Sequence, residues 1–186
     1  MQNNTGLLDK KRLLQIFGYL NERLKENQLQ LEITIYGGTI MTLVYDHRPA
    51  TKDIDCVFSE INYKLLNNIL DLTKYAFNLP DGWINEEIKE PLKSIIKEDK
   101  ETYKTYSNLK LLKPRGEQLL AMKILSARSE PAKDFVDAYI LCKDLNITTK
   151  EELLAVCSKY IPLTLVGERQ VVFIKYLGED LGYDWQ

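Results

Sequence analysis

The sequence predicts an α+β fold, in which a small mixed or antiparallel sheet flanked by helices is followed by an all-helical C-terminal part. The prediction rests on a change of pattern near the middle of the chain. In the front half, short stretches alternate apolar and polar residues, as half-buried strands do. After residue 114, apolar residues recur at helical spacing. We therefore expect a front domain over 1–113 and a helical subdomain over 114–186 that packs on it.

The front domain opens with an amphipathic helix and a strand that ends in a glycine pair. Leucines and a phenylalanine at helical spacing predict the helix over 8–25. Residues 31–36 alternate leucine and isoleucine with more polar side chains, which predicts a half-buried strand. Gly37 and Gly38 end this strand, at a place where a side chain would obstruct a close turn.

A short helix and a second strand follow the glycine pair. The helix is predicted over 39–45. Pro49 breaks it, because proline disfavours helix in the residue before it and donates no backbone hydrogen bond. The segment DIDCVF, residues 53–58, then reads as the second strand.

The remaining elements are predicted from alternation, capping residues and helical spacing. Alternation around Leu109 and Leu111 predicts one or two edge-type strands that end at Pro114. Thr149 and Glu152 have the spacing of a capping box, which predicts the start of a helix. Further helices are predicted over 61–75, from the turn at 79–83 to residue 96, and over 117–127, 132–144 and 166–181.

Composition excludes several classes of protein. The net charge of −2 and the pI near 5.6 give no overall electrostatic footprint for nucleic acid, so such a contact would need a local patch. The three separated cysteines predict reduced core thiols. No signal peptide and no run of about 18 apolar residues is present, so we expect a cytoplasmic protein without membrane contact. With His47 as the single histidine, no Ser-His-Asp or Cys-His arrangement is supported.

Two alternating carboxylates carry the chemistry that the sequence suggests. Residues two apart in a strand point to the same face, so Asp53 and Asp55 project together while Ile54 and Cys56 face the core. Carboxylates held this close repel each other unless a cation lies between them, and Mg²⁺ prefers oxygen ligands completed by water and substrate phosphates. The alternative is a solvated strand edge with two ordinary acids.

The neighbouring residues favour an anion beside that metal. Gly37 and Gly38 lie between a strand and a helix start, where backbone N–H groups can hold phosphate oxygens, and Thr39 adds a hydroxyl. Arg48 and Lys52 place positive charge on the loop that leads to the carboxylates. A glycine pair alone also occurs in ordinary tight connections, so the order of all these features carries the interpretation.

The segment 33–58 resembles the nucleotide-binding signature of the polymerase-beta-like nucleotidyltransferase superfamily, in which a Gly-Gly or Gly-Ser turn precedes a DxD strand. The later stretches LPDGWIN, LKLLKPRGEQLLAMKILSAR and AKDFVDAYIL are similar to a bacterial branch that resembles the abortive-infection toxin nucleotidyltransferases. The resemblance runs from about Leu13 to the last helix and is most specific in its front motif.

The resemblance implies roles for particular residues. Gly37, Gly38 and Thr39 would cradle a nucleoside triphosphate, and Asp53 and Asp55 would bind one or two Mg²⁺ (or Mn²⁺) ions and carry catalysis.

Lys123 is similar to a family lysine that reaches phosphates. An ion pair with Asp134 or Asp137 is the alternative for this lysine.

The sequence also departs from the superfamily pattern. Active members usually carry a third carboxylate on a neighbouring strand, but the segment 107–114 offers Asn108 and Lys110 instead, which leaves Glu101 as the candidate. In addition, Gly38 stands where serine is common.

Two functions follow from these features. The first is a metal-dependent transfer of NMP from NTP to a protein, an RNA end or a small molecule, with release of pyrophosphate. The second is a binding protein of the same fold that has lost catalysis, as a component of a toxin-antitoxin pair. The partners expected are thus an NTP, an unidentified acceptor and a cognate antitoxin or toxin.

Overall fold

The computed structural model describes residues 6–126 and 132–183 and shows the mixed α+β class that the sequence predicts. The helical elements of the described residues are Lys10–Glu26 (α1), Gly37–Leu43 (α2), Tyr63–Phe77 (α3), Lys89–Leu92 (α4), Gly116–Leu125 (α5), Ala132–Asp144 (α6), Lys150–Tyr160 (α7) and Glu168–Leu181 (α8), with a 3-10 turn at Leu163–Leu165. The strands are Leu8–Asp9 (β1), Leu31–Ile35 (β2), Ala50–Thr51 (β3), Ile54–Phe58 (β4), Ile84–Asn85 (β5), Lys100–Thr105 (β6) and Leu109–Pro114 (β7).

Five of these strands form a mixed sheet in the order β5-β4-β2-β7-β6, and β1 and β3 form a separate antiparallel pair. The central strand β2 is antiparallel to β4, with Ile35 opposite Cys56, and parallel to β7, with Leu31 opposite Leu109. β5 is parallel to β4, with Asn85 opposite Asp55. The edge-type character predicted for the strands that end at Pro114 therefore holds for β6 alone, because β7 is an inner strand.

The chain divides into two compact units. The first contains residues 1–89 and 100–113, and the second contains 90–99 and 114–186. The chain passes into the second unit after Lys113, where the sequence also places a boundary. Residues 90–99, which the sequence assigns to the front domain, cluster instead with the helices.

In the first unit, the apolar faces of α1 and of the sheet form the core. Leu13, Phe17 and Leu20 of α1 and Ile33 and Ile35 of β2 are fully buried. Asp9 caps the helix by accepting a hydrogen bond from the backbone N–H of Arg12, which lowers the cost of the unpaired N–H groups at a helix start. The predicted helix over 8–25 thus begins two residues later, since Leu8 and Asp9 belong to β1.

In the second unit, an ion-pair network joins the segment 90–99 to the helices. Arg115 pairs with Asp99 at 3.1 Å, and the Tyr160 hydroxyl lies 3.2 Å from the same carboxylate. The Gln118 side chain accepts a hydrogen bond of 2.6 Å from the Asp99 N–H. The three contacts of Asp99 explain why residues 90–99 cluster with the second unit.

At the start of α7, Thr149 and Glu152 form the predicted capping box.

The prediction of a helix from the 79–83 turn to residue 96 is wrong. Ile84 and Asn85 are extended because they pair with β4, and only the single turn Lys89–Leu92 is helical. Other element ends move by one to two residues, as for α2, predicted over 39–45. Ala127 and Arg128, which belong to a predicted helix and to the similar motif, lie outside the described residues.

The three cysteines are free and buried, as predicted. Burial raises the pKa of the Cys142 and Cys157 thiols to about 12, so both remain protonated at neutral pH. Within residues 6–126 and 132–183, no helix is long and apolar enough to cross a bilayer.

Candidate functional site

Asp55 lies on β4, on the face opposite the core, whereas Asp53, predicted as the first residue of this strand, lies in a bend directly before it. Ile54 and Cys56 are fully buried, whereas Asp53 and Asp55 are half-buried, which confirms the predicted alternation. The backbone carbonyl of Asp55 accepts a hydrogen bond of 2.9 Å from the Tyr36 N–H at the end of β2. The side chain of Asp55 is therefore carried by a strand that the sheet pairs on both sides.

Gly37 lies directly against the Asp55 carboxylate. An ideal Cβ on Gly37 would come within 2.6 Å of Asp55 Oδ2, closer than real carbon and oxygen atoms approach. Gly37 also has φ +57°, a left-handed conformation that strains any residue with a Cβ. Both its conformation and its neighbour thus require glycine here.

Gly38 is covered by side chains of the following loop. An ideal Cβ on Gly38 would lie 2.7 Å from Thr51 Oγ1 and 3.2 Å from an Arg48 guanidinium nitrogen. Glycine stands where serine is common in the superfamily that the sequence resembles, and the space for that serine is filled here by Thr51. We call Gly37, Gly38, Arg48, Asp53 and Asp55 the glycine-turn site.

Two threonine hydroxyls converge on the backbone of Asp53. Thr39 Oγ1 donates to the Asp53 carbonyl at 3.1 Å, and Thr51 Oγ1 donates to the same oxygen at 3.2 Å. The sequence predicts a phosphate contact for Thr39 and gives no role to Thr51. The sequence includes Thr51 only as one feature in the order of strand, glycine pair, short helix, arginine and DID segment.

The loop residues are held by the short β1–β3 pair. Leu8 is opposite Thr51 and Asp9 is opposite Ala50, so the N-terminal segment fixes the end of the loop that carries Arg48. Leu8 is fully buried. The other predicted loop cation, Lys52, and the single histidine, His47, are exposed.

Asn85 is a further polar residue beside the acids that the sequence did not single out. It is paired with Asp55 across the parallel β4–β5 ladder, so the two side chains share a face. Its amide oxygen accepts a hydrogen bond of 3.0 Å from the Glu87 N–H.

The candidate third acid, Glu101, is engaged elsewhere in the first unit. Its carboxylate pairs with Lys113. Lys113 is on the same face of β7 as Leu111, and Leu111 is opposite Ile33, so this face is the apolar one rather than the face of Asp55. In the described part of the chain, no group of three or more histidine, cysteine or acidic residues could hold a metal ion.

The glycine-turn site therefore offers two half-buried carboxylates, one on β4 and one directly before it. Such a set fits Mg²⁺, which is commonly held by one or two carboxylates and completes its shell with water and substrate phosphates. Burial, followed by the charges of Glu86 and Asp55, raises the pKa of the Cys56 thiol well above its ordinary value.

Lys123 lies in the second unit as the centre of what we call the lysine cluster, which consists of Lys123, Asp134 and Asp137. Its ammonium is 2.9 Å from Asp134 and 2.8 Å from Asp137. Lys123 is 9% exposed and Asp137 is 1% exposed, so this pairing takes place inside the unit. The ion-pair alternative for Lys123 is thus present in the structure, and its phosphate contact stays a prediction.

In comparisons with protein-family models, curated proteins and solved structures, no match to this chain was found. The family and the activity accordingly stay predictions that rest on the residues and their geometry.

Proposed function

We propose that this protein is a metal-dependent nucleotidyltransferase that moves NMP from an NTP to an acceptor hydroxyl. The acceptor class is a protein side chain, an RNA end or a small molecule. The proposal joins the resemblance of the 33–58 segment to the polymerase-beta-like superfamily with the contacts inside that segment.

The observation that carries the proposal is the convergence of the predicted site on the glycine pair. Asp55 lies against Gly37, and Arg48 lies against Gly38, although the members of each pair are ten or more positions apart in the sequence. A carboxylate that can hold a cation and a guanidinium that can hold an anion thus flank the same two glycines. A metal-bound triphosphate has both charges, and glycine permits its close approach to the backbone.

The reaction forms a bond between the acceptor oxygen and the α-phosphorus and breaks the bond between the α- and β-phosphates, so that pyrophosphate leaves. Bound Mg²⁺ would supply charge stabilisation for the transferring phosphoryl group. Asp53 and Asp55 are the residues that would hold it. Arg48 would neutralise phosphate charge at Gly38, and the turn itself would position the triphosphate.

The test is transfer of label from each of the four NTPs in the presence of Mg²⁺ and cell extract. We expect α-³²P-labelled NTP to label an acceptor and γ-³²P-labelled NTP to leave it unlabelled, because only the α-phosphate is retained. Asp53→Asn and Asp55→Asn should abolish the labelling. Asp71→Asn, which removes the same charge from an exposed position on α3, should retain it.

If the wild-type protein transfers no α-label from any NTP, the enzymatic proposal is wrong. If it transfers the γ-label, the reaction is phosphoryl transfer and belongs to a different class.

A second function, a catalytically inactive binding protein within a toxin-antitoxin pair, is favoured by the position of Glu101. Its carboxylate pairs with Lys113 on the apolar face of the sheet, so the residue that the sequence offers as the third acid is engaged away from Asp55. This function predicts Mg²⁺-dependent NTP binding in calorimetry that is lost in Asp53→Asn, without transfer of label. Absence of both binding and transfer would contradict both functions.

A further inference from the structure

We propose that Thr39 and Thr51 are positioning residues that orient Asp53 through its backbone carbonyl, and that the N-terminal strand β1 holds Thr51 in place for this purpose. The proposal rests on the proposed function, since it assigns a role in the same site. It differs from the role that the sequence suggests for Thr39, which is contact with phosphate.

The peptide group that joins Asp53 to Ile54 is fixed from both sides. Its carbonyl, from Asp53, accepts the hydroxyl hydrogen bonds of Thr39 and Thr51. Its N–H, from Ile54, donates to the Trp83 carbonyl at 2.8 Å. A peptide group is planar and rigid. The two hydrogen bonds to its carbonyl and the one from its N–H therefore fix the direction in which the chain runs from Asp53 toward Asp55.

The chemistry of a hydroxyl explains why Thr39 is assigned to this role. A threonine hydroxyl has one hydrogen to donate, and here that hydrogen is given to the Asp53 carbonyl. Phosphate oxygens are acceptors and need a donor. Thr39 is 1% exposed, which also places its hydroxyl behind the surface of the turn rather than on it.

Thr51 is held by two features of its surroundings. Its backbone pairs with Leu8 of β1, and its hydroxyl occupies the space that Gly38 leaves by lacking a side chain. A β-branched residue in a strand has few side-chain rotamers, so fixing the backbone of Thr51 also fixes its hydroxyl. The N-terminal strand thus acts on Asp53 through Thr51.

The test replaces each threonine with valine, which keeps the shape and removes the hydroxyl. The probe is Mn²⁺, alone and with ATP, titrated by electron paramagnetic resonance against Thr39→Val, Thr51→Val and the double variant. We expect each single variant to weaken Mn²⁺ binding about threefold, as the loss of one ordinary hydrogen bond implies. The Mn²⁺ affinity of the double variant should fall by more than the product of the two single-variant factors, because each hydroxyl partly replaces the other on the shared oxygen.

Two buried threonines provide matched controls. Thr42, on the same helix as Thr39, is 1% exposed and its hydroxyl finds no hydrogen-bond partner among the described residues, so Thr42→Val should not change binding. Thr73 donates to the Ile69 carbonyl within α3, so Thr73→Val removes a comparable bond away from the site. The conservative variant Thr51→Ser should restore binding to within about twofold.

A second measurement follows the hydrogen bonds themselves. The ¹³C resonance of the Asp53 carbonyl should move in Thr39→Val and in Thr51→Val and stay in place in Thr42→Val and Thr73→Val. This readout does not depend on metal, nucleotide or activity.

The outcomes separate this inference from the proposed function. If Asp53→Asn abolishes Mn²⁺ binding but the double valine variant binds like the wild type, the positioning role is wrong and the proposed function stands. If the wild type binds no Mn²⁺ even with ATP, the proposed function fails and the inference fails with it. If the Asp53 carbonyl resonance does not move in either single variant, the two threonine hydrogen bonds are not present and the inference is wrong.

Discussion

The glycine-turn site and the lysine cluster both contain two aspartates and a cation, but they differ in how deeply the aspartates are buried and in what holds them. In the lysine cluster, two carboxylates share one ammonium inside a helical unit, and Asp137 is 1% exposed. In the glycine-turn site, both aspartates are half-buried, one on β4 and one directly before it, and hydrogen bonds hold their backbone.

The difference shows how placement decides what a carboxylate does. A buried carboxylate needs a fixed partner of its own chain, because leaving it alone in a low-dielectric interior is costly. A buried carboxylate and its partner cation therefore act mainly on the stability of the folded unit around them. A half-exposed carboxylate on a rigid backbone can exchange water for an external cation, which is the property that a metal site requires. The two regions therefore predict opposite responses to removal of charge.

The largest effect is expected from Lys123→Met, which removes the ammonium and leaves Asp137 buried. We expect the free energy of unfolding to fall by about 3 kcal/mol, as for other buried pairs that lose one partner. Urea unfolding measures this. The triple variant Lys123→Met/Asp134→Asn/Asp137→Asn should recover much of the loss, because it also removes the two carboxylate charges that Lys123 neutralises. A loss below about 1 kcal/mol in Lys123→Met would show that the cluster behaves as a surface ion pair.

The next effect is expected from Gly37→Ala in the glycine-turn site. The added Cβ would be strained at φ +57° and would displace Asp55, so we expect a loss of about 1 to 2 kcal/mol in urea unfolding. Gly18→Ala is the matched control. Gly18 is within α1 and a Cβ there would meet no atom within 4 Å, so this change should stabilise by about 0.5 to 1 kcal/mol. Equal effects of the two changes would contradict the close approach at Gly37.

A smaller effect on stability is expected from Asp53→Asn and Asp55→Asn. Since both side chains are half-buried, we expect changes within about 0.5 kcal/mol. The same experiment on Asp137→Asn should give a clear loss. If Asp53→Asn destabilised the protein as much as Asp137→Asn, the contrast between the two regions would be lost.

The smallest effect is expected from Glu101→Gln. The ion pair with Lys113 is partly exposed, so its loss should cost less than about 1 kcal/mol. We also expect α-label transfer to continue, because Lys113 lies on the apolar face of the sheet. Abolished transfer in a variant that unfolds like the wild type would identify Glu101 as the third acid and remove the main argument for an inactive binding protein.

Much of the first unit could be predicted because its signals are local. The alternation that places Ile54 and Cys56 inside and Asp53 and Asp55 outside depends on a period of two residues, which the sequence displays directly. The glycine pair likewise marks its own turn.

What the sequence could not predict depends on pairing between distant segments. β1 and β3 have two residues each, too few for any periodic signal, and yet they place Thr51 over Gly38. Ile84 and Asn85 follow a turn and precede charged residues, so nothing local distinguishes them from a helix start. Pairing with Ile54 and Asp55 decides their conformation. Tertiary pairing overrides local preference at both places.

The path of the chain between the two units bears on how the protein can fold and be divided. The chain leaves the first unit near residue 89, returns at residue 100 and leaves again after Lys113. The central strand β2 pairs with β7, where Leu31 is opposite Leu109. The nascent chain therefore cannot complete the five-stranded sheet until the segment 90–99 and the strand β7 that follows it have been synthesised. A fragment ending before residue 100 would expose one edge of β2, with aggregation as the expected outcome.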